Sequence, residues 1–335
     1  MKTYKVGILG ATGVVGQMML KVIEEKQLPV ELRLLASARS VGKEFVFNGQ
    51  TLVVEEATET SFEGLDFVLG AVGNESSKYF APFIKQAGAI YIDNSSAFRL
   101  DPTVPLVVPE VNPEHVYFHQ GIIANPNCVT IIGLTAIAPI HRVNPIQRVI
   151  ASTYQAVSGA GIAGMNELLK QLEDLYLKNE IVPQAFARQI ACNLIPQIGD
   201  INDLGYSSEE MKFQNEGRKI LGNPDFAVNC TCIRVPIIRS HSESIMVEFE
   251  NPISVEKARE LLANAPGVKL VDDPQNKQYP MPLDTTDQDL VFVGRIREDL
   301  SGHTNALSFW CCGDQVRKGA ATNAVQIAEL VIKEM

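Results

Sequence analysis

Residues 4–16, Tyr4-Lys5-Val6-Gly7-Ile8-Leu9-Gly10-Ala11-Thr12-Gly13-Val14-Val15-Gly16, run from an apolar, β-rich segment into three glycines spaced three apart. QMMLKVIEEK (17–26) follows with helical periodicity. Strand, glycine turn and helix in direct succession form the cradle of a dinucleotide pyrophosphate. Gly10 permits the tight turn, Gly13 lets the backbone approach the phosphates at the helix N-terminus, and Gly16 lets the helix pack closely. Gly10, Ala11, Thr12, Gly13, Val14 and Val15 are therefore the candidate cofactor-contacting residues.

The end of the second expected strand distinguishes the two nicotinamide cofactors. ELRLLAS (31–37) leads into Ala38-Arg39-Ser40 with no carboxylate to accept a ribose 2′-hydroxyl. Ser37 and Ser40 offer hydroxyls and Arg39 a guanidinium suited to a 2′-phosphate, so NADP is expected. Further outward, DFVLGAV (66–72), AIYIDNS (89–95), PLVVPE (105–110) and GIIANP (121–126) read as strands, and 76–87 as a helix. This alternation describes a parallel sheet covered by helices.

Beyond residue 148 the pattern changes. RVIASTYQAV (148–157), NCTCIRVPI (229–237), SIMVEFE (244–250), LVFVGRI (290–296) and ALSFWCC (306–312) are longer strands, with helices near 163–178 and 254–264. The expected fold class is α/β: a Rossmann-like NADP-binding domain plus an α+β domain with a mixed or antiparallel sheet. The boundaries place 1–127 with 316–335 in the first domain and 128–315 in the second, the apolar helical stretch 317–333 returning to the first. Residues 179–222, rich in Pro, Gly, Asn and acidic side chains, form an excursion of weak periodicity.

The 335 residues carry 29 Lys and Arg against 39 Asp and Glu, a net charge of −10. With no basic run, a nucleic-acid partner is not expected, and an anionic small-molecule ligand would need a local cluster of cations. No apolar stretch has the length of a signal peptide or membrane span, so the expected location is the cytoplasm, with no membrane partner. Six cysteines fit neither a disulfide framework nor a zinc spacing, and no metal is expected.

One cysteine stands apart. Asn125-Pro126-Asn127-Cys128 precedes the apolar helical run VTIIGLTAIAPIH, which is expected to end near Pro139. Cys128 thus sits at a helix N-terminus, where the positive end of the dipole favours a thiolate. Asn127 and the Cys128 N–H are candidate hydrogen-bond donors beside the thiol by position. Cys192, Cys230, Cys232, Cys311 and Cys312 read as structural, and His141 as a cation capping a helix end.

GATGVVG (10–16), SARSVGK (37–43), DNSSAFR (93–99), NPNC (125–128), STYQAVSGAG (152–161), EEMKFQNEGRKIL (209–221), RVPIIRSHSE (234–243) and RKGAATNAVQIAE (317–329) occur in this order. Through these motifs the chain resembles, end to end, the bacterial-type aspartate-semialdehyde dehydrogenases. The resemblance implies reversible, NADP-linked reductive dephosphorylation of L-4-aspartyl phosphate to L-aspartate 4-semialdehyde, on the route to lysine, methionine and threonine, by a homodimer whose α+β domain, with its mixed sheet, is the catalytic and dimerisation domain. It makes Cys128 the acyl-carrying nucleophile and His241 the general acid/base, with Gln155 placing the substrate. Arg99 and Lys212 would bind phosphate and Arg234 the substrate α-carboxylate. Glu210 would contact the substrate ammonium or orient Lys212. Ser158, Gly159 and Gln315 would contact the cofactor, Gln315 standing where the family usually has Asn.

Two alternatives remain open on sequence: a related acyl-phosphate reductase, such as one acting on N-acetyl-γ-glutamyl phosphate, and a non-catalytic NADP-binding protein. A free amino acid's two charges suit Arg234 with Glu210, whereas an N-acetyl group offers no ammonium.

Overall fold

The computed structural model describes residues 2–301 and 305–333; His303 lies outside them. The elements run β1 (Tyr4–Leu9), α1 (Val14–Glu25), β2 (Val30–Ala36), β3 (Glu44–Phe47), β4 (Gln50–Val53), β5 (Glu55–Glu56), β6 (Phe67–Gly70), α2 (Asn74–Gln86), β7 (Ile90–Asp93) and β8 (Ile122–Ala124). They continue with α3 (Cys128–His141), β9 (Ile146–Gln155), α4 (Gly161–Leu177), α5 (Ser208–Leu221), β10 (Ala227–Arg234), β11 (His241–Phe249), α6 (Val255–Ala263), β12 (Val268–Leu270), α7 (Pro282–Thr285), β13 (Val291–Glu298), β14 (Ala306–Gly313) and α8 (Thr322–Ile332). The chain divides into two compact units, Met1–Asn127 with Ala320–Met335, and Cys128–Gly319.

The first unit is a parallel sheet in the order β5-β2-β1-β6-β7-β8. Both faces are covered, which is why its strands read as continuous apolar runs. Tyr4, Val6 and Ile8 pack on one side with Met19, Val22 and Ile23 of α1 and Ala324, Val325, Ile327 and Val331 of α8. Leu9, Val68 and Tyr91 pack on the other with Ala81 and Ile84 of α2. The chain re-enters this unit at Ala320, not at the expected 316, because the intervening residues are held in the second unit: Arg317 pairs with Asp289, and Gly319 packs against Cys128.

Residues 105–110 are not a strand. Only Leu106 bridges to the sheet, at Ala124. Two prolines remove donors here, and the Asn112 side chain accepts from the Val108 N–H and donates to the Leu106 carbonyl, so the local backbone is satisfied without a ladder. The β3–β4 hairpin lies outside the expected strands; it turns at Asn48-Gly49, both with positive φ (48° and 75°).

The second unit is a mixed sheet, β10-β9-β11-β14-β13-β12, in which β10/β9 and β12/β13 are parallel pairs and the others antiparallel. Alternate residues of β9 (Val149, Ala151, Thr153, Gln155) and β11 (His241, Glu243, Ile245, Val247) share the buried face. Against that sheet packs α3, buried on almost every side and continuing past Pro139 to His141. His141 is no capping cation: its Nδ1 accepts the Ile146 N–H, and burial lowers its pKa. The excursion 179–222 contains a full helix, α5, opened by a reciprocal capping box between Ser207 and Glu210. Among the described residues no helix is long and apolar enough to cross a membrane, and no cluster of three or more His, Cys, Asp or Glu could hold a metal ion.

Candidate active site

In the second unit, strand register brings three polar side chains to one edge of the buried face. Arg234 ends β10 beside Gln155, which ends the parallel strand β9; His241 opens the antiparallel strand β11 on the other side of β9. All three are buried: Gln155 at 1%, Arg234 at 7% and His241 at 0% exposure. Just after β9, Ala156 fixes two of them. Its carbonyl accepts from Arg234 Nη1 (2.8 Å), and its N–H donates to His241 Nδ1 (3.0 Å).

The second bond settles the imidazole tautomer. A backbone N–H can only donate, so Nδ1 presents its lone pair and the ring proton of the neutral form sits on Nε2. Nε2 is buried and has no hydrogen-bond partner among the described residues. Burial, and then the Arg234 charge, push the His241 pKa down to about 3, so the ring is neutral at physiological pH. Gly159 keeps the space beside it open: a Cβ there would lie 3.4 Å from Nε2 and 2.6 Å from Arg234 Nη1.

Cys128 is the first residue of α3 and partly exposed, unlike the buried Cys230, Cys232, Cys311 and Cys312. Gly319 lies against it in a π-helical turn, Arg317–Ala321; a Cβ on Gly319 would stand 2.8 Å from Cys128 Cβ. The Arg234 pKa is lowered by burial and lifted again by the Glu209 and Cys128 charges, which places the guanidinium within the electrostatic reach of both. Cys192 is exposed at φ +59°, unlike the other four cysteines read as structural.

The acidic partner of this cluster is Glu209, not Glu210. Glu209 Oε2 pairs with Lys212 Nζ (2.7 Å), and Oε1 accepts from Gln155 Nε2 (3.0 Å), whose own Oε1 accepts from Thr153 (3.0 Å). Glu210 is occupied in holding α5: Oε2 accepts the Ser207 N–H (2.6 Å) and Oε1 the Cys232 N–H (2.9 Å). Adjacent helical positions point about 100° apart, so only one of the two can face Gln155. Gln315 bridges within the second unit, accepting from the Ser240 N–H (2.9 Å) and donating to the Ser158 hydroxyl. Ser240, immediately before His241, has φ +73°, a conformation a serine adopts only when held.

In the first unit the glycine turn has the form a pyrophosphate requires. Gly10 has φ +89°, and a Cβ on it would lie 2.4 Å from the Ala71 carbonyl oxygen; one on Gly16 would lie 2.3 Å from the Gly10 oxygen. Gly13 caps α1 with no side-chain hydrogen bond, leaving the helix N-terminus to the backbone N–H groups alone. Ala11, Thr12, Val14 and Val15 line this turn and the start of α1. Thr12 Oγ1 meets Ser40 Oγ (3.3 Å) beside exposed Ser37 and Arg39, and no acidic residue stands at 36–40. Arg99 is buried; its Nε donates to the Asn125 carbonyl (2.9 Å) and Nη2 to that of Asn94 (2.7 Å). Asn127 is buried at the end of this segment.

Residues 5–119 match the family model "Semialdehyde dehydrogenase, NAD binding domain" and residues 137–318 match "Semialdehyde dehydrogenase, dimerisation domain". The chain is 50% identical to an aspartate-semialdehyde dehydrogenase of Synechocystis sp. over 98% of its length and 97% of that protein. It is also 50% identical to one of Aquifex aeolicus over 99% and 98%. Among solved structures, aspartate semialdehyde dehydrogenase II of Vibrio cholerae complexed with ASA superposes with a TM-score of 0.97 at 44% identity, covering 99% of each chain. The Candida albicans enzyme with NADP gives 0.75 at 26% identity, covering 98% of each. With both family models matched and half of its residues shared with such relatives along nearly its whole length, the chain belongs to the aspartate-semialdehyde dehydrogenase family.

Proposed function

We propose that the protein reduces L-4-aspartyl phosphate to L-aspartate 4-semialdehyde, reversibly and with release of phosphate, in the biosynthesis of lysine, methionine and threonine, as a cytoplasmic homodimer. The observation that carries the reading lies within the second unit: a buried Arg234 and an imidazole anchored at Nδ1 on the same residue, Nε2 having no partner among the described residues, with a helix-terminal thiol whose charge reaches Arg234. NADPH, for which the glycine turn, Ser37, Arg39 and Ser40 fit, supplies the hydride that brings the acyl group to the aldehyde level.

The rest is the work of this chain's own side chains. Cys128 attacks the acyl carbon as thiolate and phosphate departs, leaving a thioester; after hydride addition to that carbon the C–S bond breaks, the Cys128 thiolate leaves and the aldehyde is released. The Cys128 N–H and Asn127 face the carbonyl oxygen, and His241 donates to it from Nε2. With Nδ1 committed to Ala156, the resting ring acts as a neutral donor; to serve as a base at Nε2 it would have to give up that bond. Arg234 holds the α-carboxylate, and Glu209, in place of Glu210, holds the ammonium. Gln155 orients the substrate, Arg99 and Lys212 take the phosphate, and Ser158, Gly159 and Gln315 shape the nicotinamide end.

The test is phosphate-dependent formation of NADPH, comparing aspartate semialdehyde with N-acetylglutamate semialdehyde and NADP with NAD. Turnover of the free amino-acid aldehyde with NADP is expected. Preference for the N-acetyl substrate, or no turnover of either, would overturn the reading.

A further inference from the structure

Two carbonyl groups that receive the Arg99 guanidinium belong to Asn94 and Asn125, and the side chains of those two residues are themselves joined. Asn125 Nδ2 donates to Asn94 Oδ1 (3.0 Å), and Asn94 Nδ2 donates to the carbonyl of Gly70, the last residue of β6 (2.7 Å). At the other end, Asn323 of α8 donates through Nδ2 to Asn125 Oδ1 (2.7 Å) and to the Val107 carbonyl (3.0 Å). Asn125 and Asn323 are almost wholly buried, at 1% and 0% exposure.

We propose that Asn323 is a positioning residue for Arg99, acting through Asn125 and Asn94. The inference rests on Arg99 being a phosphate-binding cation. An amide is the side chain this chain of bonds needs: at each link one end donates and the other accepts, and a buried network of this kind stabilises only when every member is satisfied. Deleting the Asn323 amide strands Asn125 Oδ1 away from water. Asn125 is then free to turn, the Asn94–Asn125 link loosens, and the two carbonyls that fix the guanidinium plane are no longer held together. An aspartate at 323 would be worse, because its carboxylate would face two acceptors.

The experiment is steady-state kinetics in the phosphate-consuming direction on the full chain, with inorganic phosphate as the varied substrate, for Arg99→Ala, Asn323→Ala, Asn323→Ser and the Arg99→Ala/Asn323→Ala double variant. Asn323→Ala is expected to raise the KM for phosphate about tenfold while the KM for NADP moves less than about twofold. Asn323→Ser, whose hydroxyl can still donate to Asn125, should recover part of the loss. The double variant should be no worse than Arg99→Ala alone, since the amide acts through that guanidinium. If Arg99→Ala leaves the phosphate KM unchanged, the reading of Arg99 itself fails. If Arg99→Ala raises it but Asn323→Ala does not, or the two effects multiply independently, Arg99 stands and the positioning role is overturned.

Discussion

Arg234 and His241 are anchored to the same residue: the carbonyl of Ala156 accepts from Arg234 Nη1, and its N–H donates to His241 Nδ1. The cation and the imidazole are therefore both positioned by one stretch of backbone at the end of β9.

Removing the charge while keeping a polar side chain, as in Arg234→Gln, should raise the His241 pKa from about 3, since the guanidinium is the second cause of its depression after burial. The rise will be partial because burial remains. Ring-carbon chemical shifts followed against pH measure it; an unmoved midpoint refutes the coupling. In the wild type the neutral ring contributes stability that is present above about pH 6.5 and lost as pH falls toward 3, because the unfolded chain takes up a proton there that the folded chain refuses.

Arg234→Lys keeps the charge but loses the planar fork. A loss of about 1–3 kcal/mol of charged hydrogen bonding predicts a KM for the amino-acid aldehyde raised roughly five- to hundredfold. An unchanged KM would remove Arg234 from substrate binding.

Glu209 and Glu210 separate cleanly. Glu209→Gln should impair kcat/KM severely with little change in Tm, since it alters the partner of Lys212 and Gln155. Glu210→Ala should do the reverse, costing about 1 kcal/mol of stability for the lost cap and leaving the Cys232 N–H without its acceptor. The opposite pattern would restore Glu210 as the functional carboxylate.

Glu243 is fully buried on the face shared with His241, and neither carboxyl oxygen has a hydrogen-bond partner among the described residues. Burial, and then Cys232, push its pKa well above the usual carboxylate range. The protonated side chain thus favours the fold below about pH 4.3, and that contribution is lost as pH rises toward the folded-state value. Glu243→Met should raise Tm at pH 8 more than at pH 5, as thermal unfolding at the two values will show. Equal changes at both would mean the carboxyl does not titrate with folding.

Gly319→Ala should lower kcat and slow iodoacetamide alkylation of Cys128, because the added methyl would stand 2.8 Å from Cys128 Cβ. Wild-type alkylation kinetics in the variant would show that the π-helical turn yields without disturbing the thiol.

The first unit was the more legible half. Residues 4–16 state strand, glycine turn and helix in one local pattern, and Gly10 and Gly16 stand where a Cβ would strike backbone. Gln155, Arg234 and His241 are a different case. Alternation shows which face each occupies, but their meeting depends on β10 and β11 flanking β9, a long-range order no local window contains. That Glu209 and not Glu210 pairs with Lys212 has a local reason the sequence carries: Ser207-x-x-Glu210 is a capping box, and a residue engaged in one has its oxygens spent on the backbone. Asn48-Gly49 is likewise a local hairpin signal, and it joins β3 to β4.

The helix Thr322–Ile332 supplies Ala324, Val325, Ile327, Ala328 and Val331 to the same apolar layer as the opening strand. During synthesis, residues 4–127 must therefore wait with that layer uncovered until 322–332 has been translated, while the interior segment 128–319 has all its own parts sooner. Chaperone dependence of the nascent protein should accordingly be concentrated in residues 4–127.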